Sequence, residues 1–408
     1  MPFHVRMVPR DPDEPHRAAT PLELLLDLAF VAAVAQAAGS LHHGLVDGHA
    51  GNALISFPLV FFAVWWAWVN FAWFGSAYDN DDVLYRVAVF VQMTGVLILA
   101  AGVPRAFDER DYGVVVVGYV VMRLALVGQW LRVAASHPAG RRTALRFAGG
   151  IAAVQVCWLL RLAAPDSWSL PTFGVLAAAE LAVPVWAEAA GRTPWHPRHI
   201  VERYGLFTII VLGESVVSAT IAVQVALDAD AAFAELAPVI VGGLLIVFSM
   251  WWIYFDLPSE HLVERARREI DVHAALPFIW GYGHYLVFGA VAATGAGLTV
   301  AIDQAIGHSE LTDVQAGLAA TVPIAVYVLT VWALHYREKA PGPFRTVVPP
   351  AAAAIVVASS ATPEPVLVSG LVLAGMVALS VVFSPERRRV PAEALEQALP
   401  GPSARWSP

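Results

Sequence analysis

The residues of this chain best able to do chemistry are carboxylates set in apolar surroundings. Each must find a cation, take up a proton or face water, because a bare charge in hydrocarbon costs several kcal/mol. The stretch PLELLLDLAFVAAVAQ carries Glu23 and Asp27 four residues apart, so they stack on one face of a helix. Thr20 and Pro21 ahead of them read as the N-cap and first helical residue. Glu23 then suits the positive end of the helix dipole, whose pull fades after one turn, whereas Asp27 lies about 9 Å in. A second stretch, ERYGLFTIIVLGESVVSATIAVQ, opens on Glu202 and Arg203 and reaches Glu214 roughly 16 Å deeper, near the middle of an apolar layer about 30 Å thick. Gly213 thins the helix beside Glu214, and Ser218 sits one turn on. The structural alternative to a working carboxylate is a pairing of Glu214 with Arg123 or Arg161, which fall inside other apolar runs. Intramembrane acids are expected to concentrate in these two helices.

His284, in WGYGHYLVFG, lies among Gly281, Gly283 and Gly289, which let neighbouring backbones come close; it is either a satisfied hydrogen-bonding core histidine or a proton relay. Asp256, beside Pro258, reads as a cap or anchor. His42, His43, Asp47 and His49 in one loop, and His196 and His199 in another, are metal-capable residue types, but loop histidines at such spacing are common without metal and none is expected. There is no nucleophile elbow, P-loop, CxxC pair or HExxH, and Cys157 is the sole cysteine. No enzyme activity and no cofactor are expected.

The elements that must position these residues follow from composition. Of 408 residues 58% are hydrophobic and 14% charged, with a mean hydropathy of +0.62, whereas soluble domains are about a quarter charged. The apolar residues gather in runs of about 20, the length that crosses a bilayer as helix. The expected fold is an all-α polytopic membrane bundle with spans near 21–41, 53–77, 83–104, 112–135, 144–164, 171–190, 202–227, 236–257, 273–301, 317–336, 344–361 and 366–384. The eleventh, interrupted by Pro349-Pro350, is the weakest of these. Arginines set the orientation. With the N-terminus cytoplasmic, Arg6, Arg10, Arg17, Arg86, Arg141, Arg142, Arg146, Arg192, Arg198, Arg203, Arg265, Arg267, Arg268, Arg337, Lys339, Arg345 and Arg387 to Arg389 share that side, and Arg105 and Arg110 take the other. Both termini are therefore expected in the cytoplasm, with no cleaved signal. The net charge of −8 and the lack of a basic, aromatic-laced stripe argue against nucleic acid as a partner. The bilayer itself is the expected partner, and a homo-oligomer is left open.

Trp65-Trp66 recurs as Trp251-Trp252 at an offset of 186 residues, which also brings Asn70 onto Asp256 and Arg17 onto Arg203. Six spans separate the copies, so two six-helix repeats of equal orientation are expected, over 21–190 and 191–384, between a segment 1–20 and a disordered tail 385–408. Asp27 maps to Gly213, one residue from Glu214. The alternative is chance recurrence in a chain with 14 tryptophans.

LELLLDLAFVAAVAQ, ERYGLFTIIVLGES, the two WW segments and GYGHY together resemble the bacterial low temperature requirement protein A (LtrA) family over most of the chain. That resemblance implies a membrane fold and points to Glu23, Asp27, Glu202, Arg203, Gly205 and Glu214; a phenylalanine pair usual in the family is Leu25-Leu26 here. The family is named for a growth phenotype, so the resemblance carries no reaction. The functional expectation is a secondary transporter or proton-coupled carrier in a bacterial inner membrane, with Asp27 and Glu214 handling ions or protons and Arg203 as gate or charge partner. A cation channel lined by the first and seventh helices, and a structural or stress-response membrane protein that moves nothing, are the alternatives.

Overall fold

The computed structural model describes residues 2–11, 14, 17–228, 232–256, 276–336 and 343–383. Among them all regular structure is helical: α1 Pro21–Val46, α2 Ala50–Tyr78, α3 Val83–Asp108, α4 Gly113–Ser136, α5 Arg141–Arg161, α6 Ser169–Glu188, α7 Pro197–Asp228, α8 Phe233–Phe255, α9 Leu276–Ala305, α10 Asp313–Val331, α11 Pro343–Ala358 and α12 Pro365–Phe383. Eleven are long and apolar enough to cross a membrane. The exception is α11, whose 16 residues rise only about 24 Å and include Pro349 and Pro350. A tight turn, Ser359–Ala361, then leads into α12. The eleventh expected span, already the weakest, is thus a short, proline-bearing helix. The basic residues at 265, 267, 268, 337, 339 and 387–389, and the tail 385–408, lie outside the described residues.

Local chemistry sets the helix starts. Thr20 caps α1 as expected: its hydroxyl accepts from the Glu23 N–H while the Glu23 carboxylate accepts from the Thr20 N–H. Asp82 caps α3 through the Tyr85 N–H. α7 begins five residues earlier than the apolar pattern suggests. Pro197 is preset for a first helical position, and the His196 ring nitrogen accepts the otherwise orphan N–H of His199. Those extra residues put His199 on α7, one turn before Arg203, where both reach α1.

Lipid tails are as apolar as leucine, so these helices associate through close packing and internal polar contacts. A Cβ placed on Gly95 would lie 2.7 Å from the Gly118 carbonyl, which fixes how tightly α3 meets α4. Gly242 does the same between α8 and the backbone at Val366, and α8 packs broadly on α12. In the first half α1 meets α3, α3 meets α4, α4 meets α5 and α5 meets α6; in the second α7 meets α9, α9 meets α10, α10 meets α11 and α11 meets α12. α1 joins the halves by contacting both α7 and α9. The two tryptophan pairs nevertheless differ in setting, Trp65 and Trp66 being buried while Trp251 is 44% exposed.

The N-terminal segment lies across one end of the bundle. The Val5 N–H donates to Asp82, the Arg10 N–H to the Ala77 carbonyl, and Met7 is wholly buried. On the other half the His196 ring contacts the Glu14 carbonyl at 2.8 Å, and the Ala19 N–H donates to Glu202.

Candidate functional site

Asp27 and Arg203, separated by 176 positions in the sequence, form a two-pronged ion pair between α1 and α7, with Nη1 to Oδ2 at 2.7 Å and Nη2 to Oδ1 at 2.6 Å. Both side chains are fully buried. Trp68 of α2 donates its indole N–H to Asp27 Oδ1 at 2.8 Å. Three helices therefore meet on one carboxylate, and the fork geometry of guanidinium against carboxylate is the strongest such pairing available. Sequence placed Asp27 and Arg203 in separate stretches; the fold makes them partners.

One turn toward the N-terminal end, Glu23 of α1 faces His199 of α7 at 3.2 Å, and Arg203 Nε lies 4.0 Å from the same Glu23 oxygen. Beside them Arg17, buried, donates to the Gly75 carbonyl at 2.6 Å. A Cβ on Gly75 would sit 3.2 Å from Glu23 Oε1 and 3.3 Å from the Tyr85 hydroxyl, a tight fit that the glycine relieves. Several buried polar atoms here make no hydrogen bond: Glu23 Oε1, Tyr85 OH, His199 Nδ1, Arg203 Nε and two nitrogens of Arg17. Asp79, just past α2, closes the group. Burial and the nearby Glu23 push its carboxyl up to about 6, against the pull of Arg17 and Arg10. Burial likewise lowers Arg17 from its ordinary value. Glu202 stands apart, holding the N-terminal segment to α7.

A second buried acid was not foreseen. Glu180 of α6 is fully enclosed and accepts from four donors: Trp66 Nε1 at 3.0 Å, Tyr119 OH at 2.9 Å, Arg123 Nη2 at 2.7 Å and Gln155 Nε2 at 2.8 Å. Intramembrane acids are therefore not confined to the first and seventh helices. Arg123 pairs with Glu180 rather than Glu214, and Arg161 donates to Ser169. The signal was available, since AAAELAV sets a lone carboxylate in an apolar run just as VLGESVV does. α2 divides the two ion pairs, giving the indole of Trp68 to one and that of Trp66 to the other.

Glu214 lies eleven residues beyond Arg203 on α7, about 16 Å along the axis, so the fold does not bring it to Asp27. Its carboxylate accepts from the Ser218 hydroxyl, and its other oxygen is buried without a hydrogen-bond partner. Gly213 beside it mediates no close approach. His284 is fully buried, its Nδ1 on the Trp280 carbonyl at 2.8 Å and its Nε2 on the Tyr254 hydroxyl at 3.0 Å. Both ring nitrogens are spent, the arrangement of a hydrogen-bonded core histidine. His42 meets Asp303 of α9 at 2.6 Å, and among the described residues no group of three or more metal-capable side chains forms.

Helices of this length and composition, with ion pairs buried between them, define a multi-pass helical membrane protein. The sequence profile of the bacterial low temperature requirement A protein (LtrA) matches residues 18–381, and the chain belongs to that family. It is also 25% identical over 304 residues to an uncharacterized protein, RA0937, of Rhizobium meliloti (strain 1021), covering 72% of each chain. No solved structure is significantly similar.

Proposed function

We propose that the protein is a secondary transporter or proton-coupled carrier of the bacterial inner membrane, with both termini in the cytoplasm and no enzymatic activity. The observation that carries this reading is Glu214: a carboxylate at mid-membrane depth with one oxygen unpartnered, on the same helix as Arg203 of the buried ion pair. In this reading the pair is a charge gate at the N-terminal end of α1 and α7, and Glu214 beyond it takes up the ion or proton. Glu23 and His199 are the neighbours through which the gate exchanges protons with the cytoplasmic face, and Glu202 anchors the closing segment. The recurring order of helix contacts in the two halves supports two repeats of equal orientation, 21–190 and 191–384, with α1 and α7 as counterparts. His284 acts as a packing residue in this scheme.

A structural role is the second reading, favoured by the saturation of Glu180 with four donors and of Asp27 with three hydrogen bonds. The discriminating experiment is gradient-driven flux in proteoliposomes carrying the wild type or the combined Asp27→Asn and Glu214→Gln protein. Loss of flux in the folded double variant supports transport through these residues; undiminished flux removes them from it.

A further inference from the structure

Beside the Glu180 pair, α2, α4, α5, α6 and the start of α9 enclose a cavity of about 640 Å³, at the bundle end where the N-terminal segment lies. That is the size range of small-molecule sites. Its walls are aromatic: Trp66, Trp73, Trp130 and Trp195 contribute, with Phe147 and Tyr282. Trp130 lies flat on Phe147, centroids 4.2 Å apart at 4°, and Trp73 meets Trp195 edge-on at 4.8 Å. The polar handles of the central rings are already used: Trp66 donates to Glu180, Trp73 to the Tyr204 hydroxyl and Tyr282 to the Leu181 carbonyl. Trp73 and Tyr282, half-buried, therefore offer a ligand π surface and no donor, with the fully buried Trp66 behind them.

The remaining polar lining sets two carbonyl-type acceptors, Asn70 and Glu188, beside the indole N–H groups of Trp130 and Trp195 at its edge. Asn70 gives one N–H of its amide to the Trp66 carbonyl, and its oxygen is left to accept. Glu188 is held in place by the Thr193 N–H and hydroxyl. The one cation of this lining, Arg192, is four residues on from Glu188 and close enough to feel its charge, but it is exposed, where water screens it. Electron-rich ring faces with a fixed carboxylate attract a cation whose own surface is apolar, and they disfavour an anion of the same shape.

We propose that this cavity binds a lipophilic organic cation, such as a quaternary ammonium or phosphonium carried on a bulky apolar body. The site would give the transport reading its substrate class, and depends on that reading only for what binding is used for.

Tetraphenylphosphonium and tetraphenylborate test this directly, being nearly the same shape with opposite charge. Equilibrium dialysis of each labelled ion against the full-length protein in detergent, corrected for empty micelles, gives the affinities. Expected is saturable binding of the phosphonium only, weakened about tenfold in Glu188→Gln, which keeps the carboxylate's shape, and by a similar factor in Trp195→Ala, a change in a loop. Equal saturable binding of both ions, no binding above micelles, or phosphonium binding unmoved by both substitutions would overturn the proposal. Phosphonium uptake by proteoliposomes separates the two ideas. Saturable binding with no flux supports the cavity and counts against transport, whereas flux without saturable binding supports transport and removes the cavity.

Discussion

Replacing Arg203 by glutamine removes what is, among the described residues, the only cation in hydrogen-bond contact with Asp27, and leaves that carboxylate with the Trp68 indole as its remaining described donor. Both partners are fully buried, so the loss is that of breaking a buried pair, about 3–5 kcal/mol. Asp27→Asn should cost less, because the stranded guanidinium retains a counter-charge in Glu23, 4.0 Å away. The combined Asp27→Asn and Arg203→Gln protein holds two neutral amides that can bond each other, and its loss should fall short of the sum by about 2–3 kcal/mol. Unfolding in mixed micelles, followed by tryptophan fluorescence, reads these values. Additivity of the two single losses within about 0.5 kcal/mol would refute the pairing as the contact that joins α1 to α7.

Glu180→Gln strands Arg123 in the same way and is expected to cost about 3–5 kcal/mol in that assay, with much of it regained when Arg123→Met is added and no buried charge remains. Asp79 gives a pH signature. Its folded carboxyl sits at about 6, above the unfolded value of 3.8, so the folded state holds the proton more tightly and stability is lost as pH rises through 6. Asp79→Asn should therefore be more stable than wild type at pH 7, by up to ~3 kcal/mol, with the difference fading toward pH 4; a pH-independent difference would contradict this. Gly95→Ala forces a methyl to 2.7 Å from the Gly118 carbonyl and should cost about 1–3 kcal/mol, measured as a lower melting temperature, whereas Gly128→Ala meets nothing within 4 Å and should be neutral or mildly stabilising.

Much of the fold was legible in the sequence because bilayer thickness turns hydropathy into a count of spans. The apolar runs located all the helices that cross, and Thr20-Pro21 located the start of α1 to the residue. The eleventh run, marked as the weakest by Pro349-Pro350, is the one whose helix is too short to count as a full span, although hydropathy alone ranks it with the others. The start of α7 was missed since WHPRH looks like loop by composition, and the ring of His196 does the capping that serine or aspartate usually does. Asp27 and Glu214 were singled out by depth, a local property, and Arg203 by its repeat counterpart Arg17 and by the family resemblance. Their partners were not legible, because pairing depends on which faces meet: Arg203 read as a gate or charge partner without a named acid until α7 packed on α1, and Arg123, offered with Arg161 as an alternative partner for Glu214, is one of the donors that α2, α4 and α5 bring to Glu180. The aromatic cavity had no sequence signature, since its four tryptophans come from α2, α4 and a loop and are indistinguishable from an interfacial belt when read along the chain.

Proton and monovalent-cation flux into proteoliposomes, measured for the wild type, for Glu214→Gln and for empty liposomes, tests the central claim most directly. Transport through α7 requires flux in the wild type above empty liposomes and its loss in a folded Glu214→Gln protein. A folded wild type that moves no proton, alkali cation or organic cation under an imposed gradient would contradict it and leave the buried pairs as struts of a membrane scaffold.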